Sequence, residues 1–192
     1  MKPRVALALL LAATGGSIWW ANRSTTSTAD QHDQEQDDDT AAGGAMRDVA
    51  LIVIHHTAAS ESAWGWEDIR SDHISKGWSD IGYHYGIGAD GTTYTGRDED
   101  DVGAHAYGNN ADSIGVVLLG DFHDTGTLPT SAQLDSTAEL LSELLRTYGL
   151  STDDLQPHSA LGSASGHTDC PGFDWDWFMG EMGARLDAGV FA

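Results

Sequence analysis

The stretch Val49-Ala50-Leu51-Ile52-Val53-Ile54 runs directly into His55-His56-Thr57. A short, unbroken apolar run rich in β-branched residues is the pattern of a strand buried on both faces. A strand with one wet face would alternate apolar with polar residues instead. The two histidines then fall at the carboxyl end of a central strand. Successive strand residues point to opposite faces, so only one of His55 and His56 can address any single site.

Working outward, Trp64 to Lys76 set Trp66, Ile69, His73 and Ile74 near helical spacing, and Gly77 supplies a stop before the turn Trp78-Ser79-Asp80. Tyr83 to Ile87 predicts a second strand, Asp90-Gly91 a hairpin turn and Thr92 to Thr95 the returning partner. Ile114 to Leu119 reads as another buried strand. Thr130 and Gln133 have the spacing of a capping box ahead of Leu134, Ala138, Leu141, Leu145 and Tyr148 on one helical face, and Gly149 closes that helix. Strands alternating with helices predict a single α/β domain over residues 47–192, with a central mixed sheet packed by helices.

The chain has 192 residues, room for one such domain. Its 30 acidic side chains against 9 basic ones leave a formal net charge of −21, which repels nucleic acid and anionic lipid surfaces and excludes nucleic-acid binding. Composition leaves open whether that charge reflects a salt-rich environment that screens it or simply a soluble acidic surface.

Ahead of the domain, Lys2 and Arg4 precede an apolar run from Val5 to Ala13 that continues through Gly15-Gly16 to Ile18-Trp19-Trp20. Residues 1–21 therefore read as a signal peptide or an N-terminal membrane anchor. Ser27-Thr28-Ala29 offers small residues for cleavage, while Trp19-Trp20 suits an interfacial belt, and both readings stand. Either one contacts the membrane at least transiently and places the domain in the periplasm or cell wall. Residues 22–46 carry no large aliphatic residue before Met46 and read as a disordered acidic linker, in which His32 belongs to a solvated charge run.

Cys170 is the only cysteine, so no intrachain disulfide is available and the thiol is a buried hydrophobe, a free thiol or a ligand. His158 follows Leu155-Gln156-Pro157, and Cys170 lies twelve positions on, within Thr168-Asp169-Cys170-Pro171-Gly172. With His55 they make a set of two imidazoles and one thiolate. Three protein ligands leave tetrahedral Zn²⁺ an open position, where a water acquires a pKa near 7. That is the coordination of catalysis, not of scaffolding.

Six motifs occur in order: Ile54-His55-His56-Thr57, Asp80-Ile81-Gly82-Tyr83-His84-Tyr85, Gly96-Arg97, Gly103-Ala104-His105-Ala106, Ser113-Ile114-Gly115-Val116 and Asp169-Cys170-Pro171-Gly172. Together they resemble the type 2 N-acetylmuramoyl-L-alanine amidase family, which includes phage amidase lysozymes and peptidoglycan recognition proteins. The likeness extends from Val49 to about Trp177.

The resemblance implies an α/β amidase fold, a monomer acting on peptidoglycan, and a Zn²⁺ held by His55, His158 and Cys170. It implies cleavage between N-acetylmuramic acid and L-alanine, with Tyr83 and Thr168 facing the zinc as catalytic residues. Thr168 stands where some phage members carry lysine, and so brings no positive charge. The family usually sets its second histidine fewer than twelve residues before the cysteine, and His167 lies only three before it. His158 is preferred because ligands three apart would need one tight turn, whereas the small residues from Ser159 to Gly166 absorb extra length. His167 is then a cleft residue.

His105, Arg97 and Asn110 are candidate substrate-binding residues, Arg97 because a guanidinium pairs with peptide carboxylates; each is equally readable as a loop anchor. Trp64, Trp66 and Trp78 offer flat faces for sugar or fill the core edge. Some members of the family bind peptidoglycan without cutting it, typically after losing the cysteine. Retention of Cys170 favours an enzyme over that binding module.

Overall fold

The computed structural model describes residues 47–123, 126–161 and 168–188. The targeting segment, the linker with His32, and His167 lie outside the described residues. Five strands form one sheet: β1 (Leu51–His56), β2 (Tyr85–Ile87), β3 (Thr93–Thr95), β4 (Ser113–Leu118) and β5 (Leu155–Pro157), in the spatial order β3-β2-β4-β1-β5. β2, β4, β1 and β5 run parallel, and only β3, returned by its hairpin, is antiparallel. Among the described residues three α-helices flank the sheet: α1 (Trp66–Ser75), α2 (Ser131–Tyr148) and α3 (Trp175–Asp187).

A parallel centre must be covered on both faces, and it is. Ile52, Ile54, Ile114, Val116 and Leu118 pack beneath Leu134, Ala138, Leu141 and Leu144 of α2 and Phe178 and Met182 of α3. On the opposite face Val117 and Leu119 meet Trp66 and Ile69 of α1 together with Ile81. The sheet is the middle of three layers, and its carboxyl-terminal edge, where β1 ends in two histidines, is left for a site.

Several expectations need adjustment. The Thr130 hydroxyl does cap α2, accepting the Gln133 N–H at 3.0 Å, but Gln133 does not reach back to complete a box. Its side-chain amide donates to the carbonyls of Ile87 (2.9 Å) and Leu119 (3.0 Å), which lie at the ends of two strands. A buried carbonyl left without a donor costs about 1–3 kcal/mol, more than a cap on an exposed turn offers. β2 starts two residues later than its sequence pattern suggests, although the His84 N–H still donates to Gly115 O at 3.0 Å. α3 and β5 carried no clear signal: Gly180 and Gly183 dilute the helical pattern of α3, and three residues ending in proline are too few to show a strand. Gly149 closes α2 in the left-handed conformation, φ 67°, as its position predicts.

Candidate metal centre

The parallel pairing of β1 with β5 sets Ile54 opposite Pro157. The residues after each, His55 still within β1 and His158 just past β5, therefore lie side by side, with ring centroids 4.6 Å apart. Cys170 is brought to them by the returning chain. The Ser159 N–H donates to Cys170 O at 2.8 Å, the Thr168 hydroxyl accepts the Cys170 N–H at 3.1 Å, and Gly172, at φ 83°, lets its N–H bond Asp169 O at 2.7 Å. The His56 N–H points at the Cys170 sulfur, 3.4 Å away.

The cysteine Sγ lies 3.8 Å from His55 Nδ1, and the ligand atoms of His55, His158 and Cys170 all fall within 4.8 Å of one another. Around a tetrahedral zinc, with bonds near 2.0–2.3 Å, two ligand atoms sit roughly 3.3–3.6 Å apart, so the sulfur and His55 Nδ1 need only a slight contraction and no pair needs more than about 1.5 Å. The donor chemistry fits as well. Burial, then the charges of neighbouring histidines, holds His55 well below its ordinary pKa, and burial lowers that of His158, so both imidazoles are neutral at pH 7, the form that can donate to a metal. Burial pushes the Cys170 thiol up to about 12, opposed weakly by the His56 N–H. A dication among these three atoms would stabilise the thiolate that burial alone disfavours.

His55 is oriented from behind. Its Nε2 shares a 3.0 Å hydrogen bond with His105 Nδ1, which leaves Nδ1 for an ion. His105 Nε2 in turn lies 3.5 Å from the Ser113 hydroxyl, and the Asn110 side-chain carbonyl accepts the N–H groups of His105 (3.0 Å) and Ala106 (2.7 Å). The glycine of the Ser-Ile-Gly-Val motif has a concrete purpose here: a Cβ on Gly115 would stand 2.5 Å from the His105 ring. His105, a candidate for touching substrate, is thus buried against His55, and Asn110 is buried in the loop it braces. Arg97 is only 4% exposed and donates to Ile81 O (2.9 Å) and Val102 O (2.7 Å). Bonds from these three side chains run to their own loops and to the back of His55, and Arg97 also lines a cavity with Asp98 and Glu99.

Tyr83 is beside the centre, its ring 5.2 Å from that of His55. The chain approaching it is fixed by Asp80, whose carboxylate takes two hydrogen bonds from Arg70 (2.6 and 2.7 Å) and one from the Ile81 N–H (2.6 Å). Thr168 is half-buried next to Cys170. Trp66 stacks on Tyr94 and Trp78 lies against His73, both buried, while Trp64 is exposed. Sequence reading missed Arg70 and also Arg47, whose guanidinium bonds the carbonyls of Asn110, Ala111 and Ser113 and reaches His84 Nε2 at 3.2 Å. Isolated arginines in polar stretches gave no local signal of either role.

The sequence profile of the N-acetylmuramoyl-L-alanine amidase family matches residues 45–173, a span that contains His55, His158 and Cys170. The chain belongs to this family. As an amidase-family protein it is similar to the endolysin of Escherichia phage T7, 42% identical over 113 residues, covering 57% of this chain and 71% of the phage protein. It is also 43% identical over 108 residues to peptidoglycan-recognition protein SC2 of Drosophila melanogaster, 55% of either chain. Among solved structures, the N-acetylmuramoyl-L-alanine amidase LysC from Clostridium intestinale URNW superposes with a TM-score of 0.63 at 34% identity, over 73% of this chain and 87% of that one. The amidase fold and the single mixed sheet expected from sequence are both present.

Proposed function

We propose that this amidase-family chain is a zinc-dependent peptidoglycan hydrolase that cleaves the amide between N-acetylmuramic acid and the L-alanine of the stem peptide. The observation that carries the reading is the convergence of His55, His158 and Cys170 into one donor set with Tyr83 beside it. Zinc held there would supply a Lewis acid and a water acidic enough to be a nucleophile at neutral pH.

The protein's own residues prepare the rest. His105 fixes the plane of the His55 ring, so the nitrogen facing Cys170 needs no reorganisation. The Tyr83 hydroxyl donates to the carbonyl oxygen as charge grows on it, an interaction whose loss costs about 3–4 kcal/mol in comparable sites. The same hydroxyl, or water, passes a proton to the departing alanine amine. Thr168 adds a neutral donor at most, so less of the oxyanion's charge is met by side chains than where lysine occupies this place. Residues 1–21 export the domain across the cytoplasmic membrane or anchor it there, and the domain works as a monomer on the wall.

Mass spectrometry of sacculi digested by the zinc-loaded protein tests the reading. Stem peptides should appear with a free L-alanine amine, and muramic acid with a free lactyl carboxyl. Sacculi that bind the protein yet stay uncut would instead assign it to the recognition proteins of the same fold.

A further inference from the structure

The opposite side of β1 carries a second group of metal-ligating side chains. His56, Asp121 and His123 place their ligand atoms within 4.8 Å of one another, and none of them belongs to the centre described above. We propose that these three residues form a second cation site that takes a first-row divalent transition ion such as Zn²⁺, Co²⁺ or Ni²⁺.

The backbone builds this cluster without help from the ligands. β4 runs beside β1 with Leu118 opposite His56, so the chain leaving β4 turns across the end of β1. Thr57 locks that crossing: its hydroxyl accepts the Gly120 N–H (2.9 Å) and shares its proton between the carbonyls of Ala59 (2.9 Å) and Gly120 (3.1 Å), while the Thr57 N–H donates to Leu118 O at 3.3 Å. Asp121 Oδ1 accepts the His123 N–H at 3.2 Å, which folds the two side chains to the same side. The imidazoles of His56 and His123 then meet edge to face, 4.3 Å between centroids, and His123 Nδ1 lies 3.7 Å from Asp121 Oδ1.

Two imidazoles with one carboxylate form a donor set that favours zinc and its first-row neighbours over magnesium or calcium, which prefer oxygen. At His56 the competing donor is weak, since the Phe122 N–H reaches Nδ1 at 3.5 Å, the outer limit of a hydrogen bond. The Asp121 and His123 side chains are 38% and 37% exposed, so an ion can enter and waters can complete its shell. An occupant would tie the loop after β4 to β1 and to Gly172, whose backbone closes the site from below: a Cβ there would come within 2.9 Å of His56 Cε1. Asp121 and Phe122 also line a cavity of about 400 Å³ with Leu119 and Leu128, so the ion would brace one wall of it.

Counting bound ions tests the site independently of activity. The full-length chain is equilibrated by dialysis with Co²⁺, and bound cobalt is measured together with the thiolate-to-cobalt absorption that reports Cys170. Asp121→Asn and His123→Ala should each bind one ion fewer than the unaltered chain and keep the thiolate band, which also shows that they fold. Cys170→Ser should lose the band and one ion while retaining the ion at His56. Equal cobalt in the His123→Ala variant and the unaltered chain would mean that Asp121 and His123 are an ion pair only, and would overturn the proposal. Failure of the catalytic centre looks different, since no thiolate band would appear in any variant.

Discussion

Two neighbouring histidines, one on either side of β1, sit in different kinds of surroundings. His55 is 1% exposed, its Nε2 bonded to His105 and its Nδ1 directed at Cys170, with both loops behind it closed by buried side-chain-to-backbone bonds. His56 is 5% exposed, yet it looks onto a loop whose Asp121 and His123 are more than a third open to solvent. On the first side the donors come from three separate stretches of chain and are held before any ion arrives. On the second, two of the three lie two residues apart on one turn. A buried, preorganised donor set loses little conformational freedom on binding, whereas exposed side chains, even on a fixed turn, give up rotamer freedom as they bind. The first should hold its ion tightly and the second should exchange readily.

Breaking the inner side should have the largest effect. Cys170→Ser should lose the one zinc ion of the inner side and abolish release of stem peptides, read by metal analysis and by turbidity loss of cell walls. A chelator should do the same to the unaltered chain while the far-ultraviolet circular dichroism stays native, because the core beneath α2 and α3 does not depend on the centre. Unfolding on chelation would show that the inner side is not held by its backbone after all.

Tyr83→Phe comes next. It should keep its zinc and lower kcat by about 10²–10³-fold, the usual size for one lost oxyanion donor, in a direct assay of amide cleavage. An unchanged kcat would remove Tyr83 from the chemistry. His105→Ala should weaken zinc binding by about 10–100-fold, measured by competition with a chromophoric chelator, since it removes the group that orients His55. Gly115→Ala should move affinity in the same direction by displacing the His105 ring.

The smallest expected effect concerns the approach to Tyr83. The hydrogen bonds from Arg70 outweigh the opposing effect of burial and, with a lesser contribution from the Ile81 N–H, hold the Asp80 carboxyl below its ordinary value. A folded-state pKa below the unfolded value of about 3.9 means that this pair stabilises the fold above that pH, and that its contribution fades as the pH falls through the folded value. Asp80→Asn should therefore cost about 1 kcal/mol at pH 7 in urea unfolding, with the gap narrowing in acid, the pair being partly exposed.

Much of this was legible in the residues. The unbroken apolar run Leu51 to Ile54 announces a central strand, and two-residue alternation alone assigns His55 and His56 to opposite sides. The Thr130 cap and the Gly149 stop of α2 were equally plain, because both are local requirements of helix ends. The bracing bonds of Arg97, Asn110 and His105 were not, because their residue types suit substrate contact and loop bracing alike, and the carbonyls and N–H groups they meet come from the folded loops.

The sequence by itself determined the chemical inventory, namely a strand ending in paired histidines, one thiol, and a later histidine at a workable distance, since these follow from residue identity and short-range periodicity. The tertiary structure alone decided which of them meet. His158 reaches His55 through the pairing of Ile54 with Pro157, and Cys170 reaches it across 115 positions of chain. Strand register and chain return are long-range facts, fixed by which apolar faces pack together, and no local spacing encodes them.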